Sequence, residues 1–227
     1  EAFFLGQAGL LDIAAIPERY QQQALNDSYF TELKSEYQYL AHKFGLQAMD
    51  ANQWRFLRLR PQNFPHIRIA QLAHLYYEQR AGLSQLLECE NVKQVRELLA
   101  TQVTHYWETH YVFGEESAKS EKKLSAASLN LQIINTVAPI LFAYGKHKNA
   151  EKYCERAFDF LETLKAEENH IVRMWKEVGL MVETAGDSQA LIQLKKEYCD
   201  RKDCLRCRIG YEYLKGNSSI KGLGELG

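Results

Sequence analysis

Four arginines in one short segment have the types and spacing that anion binding requires. They are Arg55, Arg58, Arg60 and Arg68, and residues 51–77 contain no acidic side chain. Guanidinium groups bind phosphate or carboxylate oxygens, and interleaved aromatic residues can stack on bases. Pro65 predicts a helix start, which puts Arg68 in a first turn where the dipole favours a bound anion over a cation. The segment therefore predicts an anion-binding site, with nucleic acid as one candidate ligand.

A structural role is the alternative for these arginines. They would then pair with carboxylates from other helices and lay their aliphatic stems over the core. The 28 lysines and arginines nearly balance the 29 aspartates and glutamates, so net charge indicates neither nucleic acid nor a membrane as partner. The sequence leaves both roles open.

Three cysteines near the other end of the chain form a second candidate site. Cys199, Cys204 and Cys207 have the spacing C-x4-C-x2-C. Thiolates at this spacing can converge on one metal ion, and the first three ligands of plant-type ferredoxins are spaced in the same way. The cofactor expected here is zinc or an iron–sulfur cluster, with His147 or His170 as a further ligand. Thiol redox chemistry, with the thiol pKa lowered by neighbouring cations, and inert thiols are the alternatives.

Other sequence patterns carry little chemistry. The chain contains neither the G-x-S-x-G motif of serine hydrolases nor H-E-x-x-H. Ser120-Glu121-Lys122-Lys123 fits S-x-x-K, but its companion motifs are missing. His105 and His110 are five residues apart and would point to different faces of a helix, so their aromatic neighbourhood predicts packing.

Helical periodicity dominates the elements that must position these residues. Phe30, Leu33, Tyr37, Leu40 and Phe44 recur at three- and four-residue steps, between a cap at Ser28 and a helix end at Gly45. With only 4 prolines and 13 glycines, an all-β chain is disfavoured. We predict an all-α protein of roughly eight to ten helices in an irregular antiparallel bundle. Residues 1–214 would form a single domain, and residues 215–227 a flexible glycine-rich tail.

The start of the sequence, its apolar stretches and its cysteines give expectations about a longer protein, membrane contact and cellular compartment. Glu1 stands where an initiator methionine would be, so we expect the C-terminal part of a longer protein. The longest apolar stretch, Leu124 to Tyr144, carries too many polar groups for a membrane span, which predicts no membrane contact. Five cysteines are too few and too scattered for a disulfide scaffold, so a reducing, cytoplasmic setting is expected.

Three segments give the chain a family resemblance. They are Phe4 to Leu11, the block Arg58-x-Arg60-Pro61-x-Asn63-Phe64-Pro65-x-x-Arg68, and Cys204-x-x-Cys207-x-Ile209-Gly210. Together they resemble the C-terminal half of an uncharacterised bacterial protein family, a domain of unknown function. The resemblance implies that an N-terminal region precedes these residues in the whole protein. It implies no activity, cofactor or catalytic residue.

These observations favour a helical binding or interaction domain without catalytic activity of its own. Its arginine-rich segment would contact an anionic ligand or nucleic acid. One alternative is a metal- or thiol-dependent enzyme, or half of one, built around Cys199, Cys204 and Cys207. The other is a purely structural domain that covers the missing N-terminal region, its own predicted partner, with the apolar segment Phe3 to Leu11.

Overall fold

The structure, a computed structural model, describes residues 1–215. The chain divides into two compact units, the first of Glu1–Cys89 and Lys93–Leu129, the second of Glu90–Val92 and Asn130–Gly227. The single domain predicted for residues 1–214 stays a prediction. The glycine-rich tail predicted for residues 215–227 lies, apart from Lys215, outside the described residues.

The first unit is built from short helices and three 3-10 turns. Its elements are α1 (Ala2–Gln7), α2 (Glu18–Asn26), α3 (Ser28–Phe44), α4 (Pro65–Tyr77), α5 (Leu83–Glu88), all but the first residue of α6 (Val92–Leu99), α7 (His105–Thr109), β1 (His110–Val112), β2 (Glu115–Glu116) and the start of α8 (Ala126–Gln132). The 3-10 turns are Ile13–Ala15, Ala51–Gln53 and Pro61–Asn63. β1 and β2 pair antiparallel with one irregular step, a small sheet that the all-α prediction did not include.

Local signals explain where α3 begins and ends. Asp27, and not the predicted Ser28, is the N-cap, because its carboxylate accepts the backbone N–H of Tyr29 at 2.9 Å. Gly45 ends the helix at φ 62°, in the left-handed conformation, as predicted. The helix packs through Phe30, which is fully buried.

Aromatic side chains fill the core of the first unit. Trp107, Phe113 and Phe30 are fully buried, together with Leu5 and Ile67. The ring of Phe113 lies 5.0 Å from Trp107 and 5.0 Å from Phe30, both in edge-to-face contact. The predicted packing role of the aromatic segment around Trp107 is therefore correct.

Within residues 1–215, the second unit is built from helices and the segments that join them. α8 continues through a π-helical stretch, Ile133–Val137, into α9 (Ala138–Lys148), and is followed by α10 (Glu151–Thr163), α11 (His170–Glu177), α12 (Ala185–Leu194), the π turn Lys195–Cys199 and α13 (Arg208–Leu214). The π stretch has a cause in the sequence, since Pro139 cannot donate a hydrogen bond to the carbonyl of Asn135. With Ala126–Lys148 counted once, residues 1–215 hold twelve helices. The mostly α-helical class is confirmed, with slightly more helices than predicted.

The continuous helix Ala126–Lys148 bears on the membrane prediction. By length and composition it is the one helix in residues 1–215 that could cross a membrane. The core helix of a soluble protein can have the same length and composition. The predictions of no membrane contact and of a cytoplasmic location therefore stay predictions.

Candidate anion-binding site

The backbone before α4 brings part of the predicted arginine segment to one place. Arg60 precedes the 3-10 turn Pro61–Asn63, and the extended Phe64 then leads into α4. Pro65 is the first residue of α4, as predicted, because its fixed φ suits a first helical turn and it has no N–H to leave unpaired. Arg68 therefore lies in the first turn of α4, a few residues from Arg60.

Arg60 and Arg68 line a polar cavity of about 170 Å³. The cavity is lined by Arg60, Gln62, Asn63, Arg68, Gln71, Lys122, Lys123, Ser125 and Ser128, all of the first unit. Four of these residues are cationic and none is acidic. We call it the cationic cavity.

Arg68 carries a half-buried charge that is held by neutral groups. Its Nη1 donates to Gln71 Oε1 at 2.9 Å, and its Nη2 donates to Asn63 Oδ1 at 2.6 Å. Burial lowers the pKa of the Arg68 guanidinium below its ordinary value, but an arginine stays protonated in proteins. No carboxylate within residues 1–215 forms an ion pair with it.

The other two predicted arginines are placed differently. Arg55 and Arg58 are exposed and do not line the cationic cavity, and Arg58 has a left-handed φ of 66°. Neither forms an ion pair within the part of the chain that the structure describes, and the same holds for Arg60. The alternative in which these arginines pair with carboxylates from other helices is therefore not found in residues 1–215.

Lys122 is the residue of this cavity that sequence reasoning missed. It is buried, its Nζ donates to the carbonyl of Glu108 at 2.8 Å, and the same Nζ lies 4.1 Å from the centre of the Tyr111 ring. Burial lowers the pKa of its ammonium group. Gln71 Nε2 donates to the Lys122 carbonyl at 2.7 Å, which ties α4 to this segment. The sequence offered only the S-x-x-K match at Ser120, which says nothing about this tertiary contact.

Two serines at the start of α8 complete the cavity. The backbone N–H of Ser128 donates to Ser125 Oγ at 3.1 Å, so Ser125 caps the helix, and the two hydroxyl oxygens are 3.0 Å apart. Lys123 lies next to them and pairs with the exposed Glu121 at 3.0 Å. Hydroxyl donors, cations and the first turn of a helix therefore surround the same small space, an arrangement suited to anionic oxygens.

The three cysteines of the predicted metal site differ in exposure. Cys199 and Cys204 are exposed, whereas Cys207 is buried and caps α13, its Sγ accepting the N–H of Gly210 at 3.5 Å. Within residues 1–215, no group of three or more His, Cys, Asp or Glu side chains could hold a metal ion.

The expectation that neighbouring cations lower the thiol pKa is wrong for Cys199. Its pKa is raised, chiefly by partial burial and then by the neighbouring Cys207. Lys195 is a neighbouring cation that lowers this pKa, but by less than burial and Cys207 raise it. Arg201, Arg206 and Arg208 form ion pairs with Glu197, Asp203 and Glu212.

The fold and the cationic cavity define a mostly helical protein with a small polar site. Residues 1–170 match the model of the family described as "Protein of unknown function (DUF2851)", so the chain belongs to this family. The matched stretch contains the whole cationic cavity and ends before Cys199. No curated protein and no solved structure matches the chain. The predicted resemblance to a domain of unknown function is confirmed, while its bacterial origin and the C-terminal-half assignment stay predictions.

Proposed function

We propose that this protein is a helical binding domain, without catalytic activity of its own, that holds one phosphate or carboxylate group in the cationic cavity. The observation that carries the proposal is Arg68. Its charge is half-buried and is hydrogen-bonded to two neutral amide oxygens instead of a carboxylate. Removing a charge from water is costly unless an opposite charge compensates it, and a bound anion would supply that compensation.

The size of the cavity limits the ligand. Sites for drug-sized molecules measure roughly 300–1,000 Å³, whereas the cationic cavity measures about 170 Å³. It therefore suits a single phosphate or carboxylate group, either as a free ion or as the head of a larger molecule. Arg60, Lys123 and the hydroxyls of Ser125 and Ser128 line the same space and can share the anion's oxygens.

Titration with inorganic phosphate at low ionic strength tests the proposal. In isothermal titration calorimetry, Arg68→Gln should weaken phosphate binding by about tenfold to a hundredfold, the range for one charge-assisted hydrogen-bonding group. Arg60→Gln should weaken it less, because Arg60 is exposed. Arg58→Gln is the matched control, an arginine of the same segment outside the cavity. Equal affinity of the Arg68→Gln variant and the unmodified protein would refute the proposal.

Nucleic acid is the second candidate, because Arg55 and Arg58 are exposed and form no ion pair within residues 1–215. A fluorescent single-stranded oligonucleotide separates this candidate from a small anion. If the ligand is nucleic acid, Arg55→Gln and Arg58→Gln should each weaken binding, and affinity should fall steeply with salt because phosphate contacts release counterions. If the ligand is a small anion, both variants should bind phosphate normally and the oligonucleotide should compete weakly.

A further inference from the structure

A second cavity in the first unit is mostly apolar and has a volume of about 340 Å³. Its walls include Ile16, Tyr20, Phe56, Phe64, His66 and Phe113. It shares no lining residue with the cationic cavity, so a ligand bound here is independent of the proposed anion binding. We call it the aromatic cavity. Its volume lies at the lower end of the range typical of sites for small organic ligands.

His66 is the unusual member of this wall. It lies in the first turn of α4 and is 5% exposed, and its ring lies 5.4 Å from Phe113 and 5.8 Å from Phe56. Its buried Nδ1 has no hydrogen-bond partner among residues 1–215. Burial lowers the pKa of His66 to about 3, so the imidazole is neutral at physiological pH and keeps one donor and one acceptor nitrogen.

The other polar side chains of the cavity wall contact one another. The Tyr20 hydroxyl donates to the carboxylate of Glu115, and the Arg19 guanidinium lies 4.5 Å from the centre of the Tyr20 ring. Arg19 and Glu115 contribute one positive and one negative charge to the lining, so the cavity has no net charge. This balance favours a neutral ligand, and His66 is the wall residue with a buried side-chain nitrogen that has no hydrogen-bond partner in residues 1–215.

We propose that the aromatic cavity binds a small neutral aromatic or heteroaromatic molecule that carries one hydroxyl or N–H group. The ring of the ligand packs against Phe56, Phe64 and Phe113, where offset and edge-to-face contacts are favourable. Its polar group hydrogen-bonds to the imidazole of His66 where the ring lines the cavity. Buried groups without partners are rare in native proteins, so the unpaired nitrogen of His66 needs an explanation.

Phenol and toluene are the probes for this proposal, because they have the same shape and differ in one hydroxyl group. Binding of each to the purified protein is measured by calorimetry or by ligand-observed NMR. We expect saturable binding of both. His66→Phe should weaken phenol by about fivefold or more, the ratio that one net hydrogen bond supplies, and should leave toluene unchanged or slightly tighter. Equal weakening of both probes, or no saturable binding of either, would overturn the proposal.

A cavity-filling variant tests the location of the site. Ala15 lines the aromatic cavity, whereas its exposed neighbour Ala14 in the same 3-10 turn does not. Ala15→Trp should abolish binding of both probes, and Ala14→Trp should preserve it. If Ala15→Trp does not fold by circular dichroism, Val112→Trp fills the cavity from β1 instead. Phosphate affinity should be unchanged in every folded variant, which separates failure at this site from failure of the proposed anion binding.

Discussion

Two arginine-rich segments, one in each unit, differ in how their arginines are paired. In the second unit, Arg201, Arg206 and Arg208 each meet a carboxylate three or four residues away, at 2.8, 3.3 and 3.2 Å. In the first unit, Arg68 is bound by two amides and meets no carboxylate in the described residues. Both segments are rich in arginine, but within residues 1–215 these three arginines of the second unit form ion pairs and Arg68 of the first unit does not.

Buried polar groups show the same contrast. Ser188 of the second unit is fully buried, and its Oγ donates to the carbonyl of Ala185 at 3.0 Å and accepts the N–H of Glu167 at 3.2 Å. In residues 1–215 the buried side-chain atoms without a partner are His66 Nδ1 and Gln85 Oε1, both in the first unit. Leaving such a group unpaired costs stability, and His66 is the one of the two that lines the aromatic cavity.

The largest effect that we predict for this contrast is a pH dependence of the free energy of unfolding, caused by His66. Because burial lowers its pKa from 6.5 to about 3, the unfolded chain binds a proton below pH 6.5 that the native state does not accept until about pH 3. Stability from this group is therefore complete above pH 6.5 and decreases as the pH falls through this window. His66→Phe removes this contribution to the pH dependence of stability. Urea denaturation should show the variant gaining about 2 kcal/mol on the unmodified protein between pH 7.5 and pH 5.

The control for this experiment is His147→Phe, which changes an exposed histidine of the second unit. The change that this variant shows between the two pH values is the reference against which the change in His66→Phe is judged. All other titratable groups are common to the three proteins, so their contributions cancel in the difference. A His66→Phe difference that is constant with pH would mean that His66 is not held neutral by burial.

The second prediction gives Arg68 a carboxylate partner, like those of the paired arginines in the second unit. Asn63 Oδ1 accepts from Arg68 Nη2 at 2.6 Å, so Asn63→Asp replaces this neutral acceptor with a carboxylate of the same shape. The new ion pair should neutralise Arg68 and weaken phosphate binding by about tenfold, or about 1.4 kcal/mol. Calorimetric titration with phosphate measures the change.

The reciprocal variant tests whether a free arginine alone is sufficient. Asp203→Asn removes the partner of the exposed Arg206 in the second unit. It should create no phosphate binding, because an exposed single cation lacks the convergent donors of the cationic cavity. Unchanged phosphate affinity in Asn63→Asp, or an additional phosphate site in Asp203→Asn, would contradict the proposed difference between the two arginine-rich segments.

Much of the fold could be predicted because the signals are local. Pro65 begins α4 and Gly45 ends α3, since each position depends on the φ angle of one residue. The ion pairs of Arg201 and Arg208 were also predictable, because their partners lie four residues away in the sequence. The small sheet was not, because β1 and β2 have only three and two residues.

The candidate site was predicted only in part, because tertiary contacts assemble it. The absence of acidic residues near Arg68 in the sequence agrees with its position in the structure, where its partners are the amides of Asn63 and Gln71. The sequence could not separate Arg60 and Arg68, which line the cavity, from the exposed Arg55 and Arg58. Lys122 lies far along the chain from α4 and joins it through one hydrogen bond to Gln71, which no spacing rule encodes.

The smallest effect concerns the cysteines of the second unit. Cys207 caps α13 with a weak sulfur acceptor, and serine is a preferred N-cap residue, so Cys207→Ser should change the free energy of unfolding by less than about 0.5 kcal/mol. If Cys199, Cys204 and Cys207 hold zinc or an iron–sulfur cluster, the same variant should lose the metal and several kcal/mol of stability. Metal content by mass spectrometry and thermal denaturation, compared with the exposed Cys204→Ser, decide between a helix cap and a metal ligand. If the protein holds near-stoichiometric metal and Cys207→Ser loses it, the second unit contains a metal site.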